Sequence, residues 1–377
     1  MNFKISKNRF YDALQIVAKA IAPNSPVPAL SGIKMDAFRD QLTLTGSDAD
    51  ISIQMVLSNA TDEKLGLSIL EEGSIVIDYR YLLEIVRKID SDEINVEILD
   101  GTFTRFSAGR SEFKINGIRP EDYPTVDFTV PSNQFRIKSS LLSQIIEETT
   151  FAANSKETRL ILTGVNMHAE NGSLICTATD SYRLAKKTVP VECEPFNVTI
   201  LAKSLNNVRS IFSASEEDIT VALSDKKAQF SSANIILQTR LLDGSYPDTD
   251  RLIPAEFTNT LVINRHALIA AIDRSSFIRN DNMMIVRLQI NSKDDITLTN
   301  KSQEIGESHE ELAAESYEGD PLDISFSGNY VSDAAKILTT ENIVIRFTGE
   351  MRPFILNNDK DGDATILQLV LPVRTYN

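Results

Sequence analysis

Hydrophobic and polar residues alternate along this chain with two periods that recur in a fixed order. A short run of period two, typical of a strand, leads into a longer run with a period near 3.6, typical of an amphipathic helix. Three such runs begin at 3, 135 and 261, which lie 132 and 126 residues apart. Three more begin at 75, 198 and 324, which lie 123 and 126 residues apart. The sequence therefore predicts three tandem units of about 126 residues.

Each unit is predicted to hold two helices and a sheet-rich remainder, an α+β fold. The helices are expected at 7–21, 78–89, 136–150, 202–212, 264–280 and 329–339. Further strands are expected at 42–45, 94–98, 174–177, 219–223, 296–299 and 343–347. A turn also repeats, as Asp122-Tyr123-Pro124 and Ser245-Tyr246-Pro247. Placing the boundaries after these turns gives units at 1–128, 129–255 and 256–377.

The charge is distributed unevenly between the predicted helices and the rest of the chain. The chain carries 53 acidic and 38 basic residues, a net charge of −15, which taken alone argues against contact with phosphate. The six helical spans, however, hold 14 Lys and Arg against 7 Asp and Glu, so they sum to +7 and the remainder to −22. Lys and Arg are also ordinary helix formers on solvated faces. Because the asymmetry spans all three units, we favour a surface that attracts phosphate.

No catalytic, cofactor or metal motif accompanies this pattern. The histidines, His168, His266 and His309, and the cysteines, Cys176 and Cys193, have spacings that match no metal or redox site. Phosphate-binding loops and nucleophile elbows are also lacking. We therefore expect a binding protein without catalytic residues, cofactor or metal. A hydrolase with a spatially assembled site is the alternative. The N-terminal residues do not resemble a signal peptide, so a cytoplasmic location is expected.

Three short motifs, together with the triplication, carry a family resemblance. They are Ala178-Thr179-Asp180-Ser181-Tyr182-Arg183-Leu184, Asp243-Gly244-Ser245-Tyr246-Pro247-Asp248 and Leu369-Val370-Leu371-Pro372-Val373-Arg374. In this order and spacing, the whole chain resembles the bacterial sliding clamps, the β subunits of DNA polymerase III. The resemblance implies a ring-shaped head-to-tail homodimer with helices lining the hole. Twelve helices set ~10 Å apart would leave a bore of ~28 Å, wider than a DNA duplex.

The resemblance also implies partners and site residues. The function would be that of a processivity factor that encircles double-stranded DNA without sequence specificity. The protein partners would be the DNA polymerase III catalytic subunit, a clamp-loader ATPase complex, and other polymerases and repair proteins bound through short Leu- and Phe-containing peptides. The DNA-facing candidates are Arg9, Lys19, Arg80, Arg87, Lys88, Lys138, Lys203, Arg209, Arg274 and Lys336.

Two further sets follow from the same resemblance. The peptide-binding pocket would comprise Leu162, Thr179, Ser181, Tyr182, Arg183, Leu184, Pro247, Leu252, Leu369, Val370, Leu371, Pro372, Val373 and Arg374. Within it, Arg183 and Arg374 would donate hydrogen bonds to peptide carbonyls. The dimer contact would join Phe113 and Ile115 of one chain to Phe277 and Ile278 of the other. A homodimeric peptide-binding scaffold that does not encircle DNA is the competing interpretation.

Overall fold

All six predicted helices form, but three are clearly shorter than predicted. The spans 7–21 and 264–280 end as α-helix at Val17 and Arg274, and the span 136–150 begins at Ser139 because 136–138 belong to a strand. A computed structural model describes residues 1–279, 283–362 and 364–374. Its α-helices are α1 (Lys7–Val17), α2 (Tyr79–Lys88), α3 (Ser139–Thr150), α4 (Ala202–Phe212), α5 (Arg265–Arg274) and α6 (Gly328–Ile337). Asp78 caps α2 by accepting a hydrogen bond from the Arg80 amide, and Asn264 caps α5 in the same way. Asn280, the last residue of the fifth predicted span, lies outside the described residues.

The strands outnumber the helices in every third of the chain. The first third holds β1 (Asn2–Ser6), β2 (Gly32–Phe38), β3 (Gln41–Ser47), β4 (Ile51–Ser58), β5 (Ser68–Glu71), β6 (Gly73–Asp78), β7 (Glu93–Asp100), β8 (Phe103–Ala108) and β9 (Ser111–Asn116). The second holds β10 (Asn133–Lys138), β11 (Gly164–Glu170), β12 (Ser173–Thr179), β13 (Arg183–Pro190), β14 (Phe196–Leu201), β15 (Asp218–Leu223), β16 (Lys227–Ser232) and β17 (Ile235–Arg240). The last third holds β18 (Asn259–Asn264), β19 (Ile285–Ser292), β20 (Asp295–Ser302), β21 (Gly306–Leu312), β22 (Ser316–Glu318), β23 (Leu322–Ser327), β24 (Asn342–Phe347), β25 (Phe354–Asn358) and β26 (Thr365–Val370).

The first compact unit contains residues 1–141 and 207–241. One of its sheets has five strands in the order β5-β1-β7-β8-β9, and the other has eight in the order β10-β15-β16-β17-β4-β3-β2-β6. Helix α1 buries Phe10, Leu14 and Val17 against β3 and β4. This spacing of three and four residues is that of one helix face, so the apolar stripe read from the sequence is the one that packs.

The second compact unit contains residues 142–206 and 242–377. Its larger sheet has nine strands in the order β14-β11-β12-β13-β26-β25-β24-β18-β22, and its smaller sheet has four in the order β21-β20-β19-β23. A buried ion pair joins the Lys187 ammonium on β13 to the Glu148 carboxylate on α3 at 2.7 Å. The Glu148 backbone carbonyl accepts a hydrogen bond from Gln368 on β26. These contacts fix α3 against the join between β13 and β26.

The sheets run without a break across the sequence repeats. Antiparallel pairing of β17 with β4 joins the second predicted repeat to the first, and pairing of β13 with β26 joins it to the third. Strand pairing satisfies the backbone groups that a separate domain would leave at its edge. The sequence repeats predict three units, but the structure divides into two compact units, and each contains part of the middle repeat.

Candidate functional site

The predicted DNA-facing side chains lie on or beside the helices, and most are exposed. Six of the ten predicted DNA-facing residues form ion pairs, and five carboxylates are their partners. The pairs are Arg9–Asp62, Arg80–Asp78, Arg87–Glu84, Lys88–Glu84, Arg274–Glu310 and Lys336–Asp273. Lys19 instead donates to the Ser210 hydroxyl at 2.8 Å, and Arg209 is half-buried. Lys138 and Lys203 are exposed. Their orientation toward a common channel remains a prediction.

Helix α2 shows how closely the basic groups are matched by acid. Hydrogen bonds from Arg87 and Lys88 lower the pKa of the Glu84 carboxyl from 4.5 to about 2. The Arg87 guanidinium lies 2.9 Å and the Lys88 ammonium 2.8 Å from Glu84 oxygens. A phosphate that approached this helix would compete with Glu84 for both cations. Exposed pairs of this kind are weak, so such exchange costs little.

The predicted dimer residues Phe113 and Ile115 lie on β9, the last strand of the five-stranded sheet. They stand opposite Phe106 and Thr104 of β8, which are both buried. Their face is thus the continuation of the core-facing side of the sheet, yet the Phe113 side chain is 38% exposed. An apolar face that ends uncovered at a free strand edge is a feature of surfaces that pair with another chain.

The other half of the predicted dimer contact differs from expectation at one residue. Phe277 is 67% exposed, but Ile278 is only 1% exposed. The Ile278 carbonyl accepts a hydrogen bond from the Asn300 side chain at 2.8 Å, which holds this turn against β20. The Ile278 side chain is thus buried within its own chain, and its place in the dimer contact stays a prediction. Phe277 remains as the exposed member.

The three motifs of the predicted peptide pocket, at 178–184, 243–248 and 369–374, lie together in the structure. Arg183 and Leu184 at the start of β13 pair with Val370 and Leu369 of β26. The Leu371 amide donates to the Tyr182 carbonyl at 2.9 Å, which extends this ladder. From the Tyr-Pro turn, the Tyr246 hydroxyl accepts the Thr179 amide at 3.0 Å. Lys186 holds the turn Asp250–Leu252 through Asp250 at 2.7 Å.

The fourteen predicted pocket residues fall into a buried base and an exposed rim. The buried members are Leu162, Thr179, Leu184, Leu369 and Val370. The half-buried members are Arg183, Leu371, Pro372 and Val373. The exposed members are Ser181, Tyr182, Pro247, Leu252 and Arg374. Leu184 and Leu369 form one apolar cluster with Ile355, against which Leu371 packs. Buried aliphatic side chains, together with an exposed tyrosine and an exposed proline, suit small apolar anchors of a peptide.

Arg183 is engaged differently from the role that the resemblance implies. Its Nε donates to Asp180 at 3.0 Å, Nη1 donates to Asp333 at 2.7 Å and Nη2 donates to the Phe151 carbonyl at 2.7 Å. The guanidinium also lies 4.6 Å from the Tyr330 ring centroid and 5.3 Å from that of Phe151. Arg183 in this structure therefore bonds its own chain instead of offering these N–H groups to a peptide.

Sequence reasoning missed the residues that hold Arg183. Tyr330 and Asp333 lie on α6, some 150 residues away along the chain, and no local motif marks them. Asp180 does carry a local signal. It stands two and three residues before amides that its carboxylate accepts, those of Tyr182 and Arg183. Aspartate commonly closes turns in this way.

Among the described residues, no group of three or more His, Cys, Asp or Glu side chains could hold a metal ion. Within the same ranges, no helix has the length and apolar character that crossing a membrane requires.

Comparison with known proteins identifies the class and then the family. The chain has the three-domain fold of the ring-forming DNA clamps. It matches the structure of the DNA polymerase sliding clamp from Bacillus subtilis with a TM-score of 0.95, 36% identity and full coverage of both chains. It matches the DNA polymerase III β chain from Streptococcus pneumoniae with a TM-score of 0.94, 33% identity, and 99% and 100% coverage of the two chains.

Family models and curated relatives agree with the structures. Models of the N-terminal, central and C-terminal domains of the DNA polymerase III β subunit match residues 1–127, 136–248 and 250–374. The β sliding clamps of Bacillus subtilis and Halalkalibacterium halodurans are 38% and 36% identical to this chain, with full coverage of both sequences in each case. The chain belongs to the DNA polymerase III β subunit family, the bacterial sliding clamps.

Proposed function

We propose that two copies of this chain close a ring around duplex DNA and tether the replicative polymerase and other replication and repair proteins to it. The observation that carries this is the full-length match to β sliding clamps over all three domains. The basic excess on six repeated helices gives the ring an inner surface for phosphate. We infer domain boundaries near 129 and 256, a cytoplasmic location and no catalytic activity of its own.

In the proposed ring, attachment to DNA is topological. Contacts with phosphate carry no sequence information, and they can remain weak because the closed ring prevents escape. Weak contacts that are equivalent at every position permit sliding. The chain has no nucleotide-binding loop in its sequence, so we expect a separate clamp-loader ATPase to open and load the ring.

Two strand edges support a head-to-tail dimer. In the first compact unit, β9 ends its sheet with Phe113 and Ile115 on the core-facing side. In the second compact unit, β21 ends the four-stranded sheet, and Phe277 follows α5 nearby in the chain. Every chain carries one edge of each kind, so two copies can pair twice and satisfy both. We propose that β9 of each chain pairs with β21 of its partner.

The dimer contact is tested by Phe113→Asp. Placing a charge in the apolar centre of a dimer interface costs about 2–4 kcal/mol, so the variant should sediment with half the mass of the unaltered protein. The matched control is Phe38→Asp, since Phe38 is 49% exposed on a different sheet and should leave the mass unchanged. A Phe113→Asp protein that sediments as a dimer at low micromolar concentration would refute this contact.

The proposed partner site is the groove of buried Leu184 and Leu369 with Tyr182, Pro247 and Leu252 at its rim. We infer that it binds short peptides with Leu and Phe anchors from the polymerase III catalytic subunit, the clamp loader, and other polymerases and repair proteins. Pockets lined by aliphatic side chains with few polar groups suit such anchors.

One experiment distinguishes the sliding clamp from the competing function, a dimeric peptide-binding scaffold that does not encircle DNA. A sliding clamp loaded on nicked circular DNA should stay bound through gel filtration and should be lost when the circle is cut to a linear molecule. The control is loading on the same DNA in linear form. Equal retention on circular and linear DNA would contradict encirclement, and no retention on either would favour the scaffold.

A further inference from the structure

The rim of the proposed peptide groove is built on a loop that several hydrogen bonds hold together. Residues 179–183, here called the rim loop, contain Ser181 in a left-handed conformation with φ of 80°. The Thr179 hydroxyl donates to the Arg183 carbonyl at 2.6 Å and accepts the Ser181 amide at 3.1 Å. Asp180 accepts the Tyr182 and Arg183 amides. Non-glycine residues with positive φ persist only where surrounding contacts enforce them.

Helix α6 supplies one of those surrounding contacts. The Asp333 carboxylate accepts Arg183 Nη1 at 2.7 Å, and the Tyr330 ring on the same helix face stacks on the guanidinium. The Arg183 side chain is only 15% exposed and faces two carboxylates, Asp180 and Asp333. A guanidinium positioned by a fork of charge-assisted hydrogen bonds on both sides has little rotational freedom.

We propose that Asp333 is a positioning residue for the peptide groove: through Arg183 it fixes the rim loop and so sets the affinity for partner peptides. This inference rests on the proposed function of the groove. The side chain that presents the rim is Tyr182, which is 62% exposed and whose carbonyl is held by the Leu371 amide. Asp333 itself lies on α6 and does not belong to the predicted pocket set. Its effect on a peptide is therefore indirect.

The alternative role for Arg183 is direct donation to a peptide carbonyl. Arginine has five N–H groups, and three of those on Arg183 already bond Asp180, Asp333 and the Phe151 carbonyl. Redirecting Nη1 would take this donor from the Asp333 carboxylate, and redirecting Nη2 would take it from the Phe151 carbonyl. The geometry therefore favours an ordering role, in which rigidity of the rim loop lowers the entropy lost when a peptide binds.

The test compares Asp333→Ala with Asp273→Ala in the dimeric, full-length protein. Asp273 is the matched control because it is a helical aspartate of similar exposure, on α5, that pairs with Lys336 and not with the rim loop. Hydrogen exchange of residues 179–183 is measured first, without peptide. We expect about tenfold faster exchange in Asp333→Ala only. Unchanged exchange would overturn the proposal.

Peptide affinity is measured next, by fluorescence anisotropy of a labelled decapeptide with adjacent Leu and Phe anchors. We expect about tenfold weaker binding for Asp333→Ala, about threefold for Asp333→Asn, which keeps one acceptor oxygen, and no change for Asp273→Ala. Faster exchange with unchanged affinity would overturn the link between loop order and binding.

The two proposals fail in different ways. If the unaltered protein binds no such peptide, the groove assignment is refuted and the affinity claim falls with it, while the exchange result still decides whether Asp333 orders the loop. A thermal unfolding midpoint for Asp333→Asn close to that of the unaltered protein shows that weakened binding is not loss of the fold. A fall in affinity equal in the Asp273→Ala control would assign the effect to charge alone and overturn positioning.

Discussion

Removing Lys138 and Lys203, two exposed DNA-facing candidates, should reduce the salt dependence of DNA binding by a calculable amount. Lys138 ends β10 directly before α3, and Lys203 is the second residue of α4. Both are exposed, and neither forms an ion pair within the ranges that the structure describes. Six of the other candidates already have a carboxylate partner. These two lysines should therefore be the least hindered phosphate contacts.

The magnitude follows from counterion release. Each phosphate contact contributes a slope of about −0.9 to the plot of log affinity against log salt concentration. Two lysines in each of two chains make four contacts, so Lys138→Gln with Lys203→Gln should reduce the slope by about 3.6. Between 50 and 200 mM salt, the unaltered protein should lose roughly 150-fold more affinity than the double variant.

The assay is titration of a short linear duplex at several salt concentrations, where no topological retention contributes. The control pair is Lys226→Gln with Lys293→Gln, which changes the same charge at exposed turn residues away from the helices. The control should keep the slope of the unaltered protein. An equal loss of slope in both pairs would show that net charge, not a helix-lined surface, attracts DNA, and an unchanged slope in the first pair would refute contact by these lysines.

Three other predictions concern the folded chain. Lys187→Ala should lower the free energy of unfolding by about 3–5 kcal/mol in urea titrations, because it leaves the Glu148 carboxylate buried without its cation. Lys187→Met combined with Glu148→Leu should recover most of this loss. A small effect of the single change would contradict a tightly buried pair. Burial raises the pKa of the Cys176 thiol to about 12, so Ellman's reagent at pH 8 should modify Cys193 alone until the protein is unfolded. Two thiols that react rapidly with the reagent in the native protein would contradict this fold. Because the pKa of Glu84 is lowered from 4.5 to about 2, its ion pairs stabilise the protein above pH 4.5 and cease to do so as the pH falls toward 2. The difference in thermal midpoint between Glu84→Gln and the unaltered protein should therefore shrink as the pH falls from 4.5 to about 2. A difference that grows on acidification would contradict the pairing.

Local sequence pattern was sufficient for the elements but not for what they contact. The helix that begins at Lys7 and the strand that includes Ile94 each follow from the spacing of apolar residues within a few turns or pleats. Periodicity gives the face that is buried. It does not give the neighbour, because strand partners such as β4 and β17 are brought together by the tertiary fold.

In the candidate sites, too, the sequence identified candidate residues, whereas their contacts depend on the tertiary fold. Phe113 and Phe277 are indeed exposed, but the neighbouring Ile278 is a core residue, a difference that depends on a turn held by Asn300. The sequence also suggested Arg183 as a peptide donor. Its actual partners on α6 are distant in the chain, so the choice between binding a ligand and ordering a loop required coordinates.

The uninterrupted antiparallel ladders from one repeat to the next have a mechanical consequence. Separating β4 from β17, or β13 from β26, would break a row of backbone hydrogen bonds together with the buried side chains on either side. Strain applied to a closed assembly would concentrate where two polypeptides meet, since that joint alone has no covalent connection across it. In the proposed ring, opening one such joint would be enough to admit DNA, while the strand ladders inside each polypeptide stay paired.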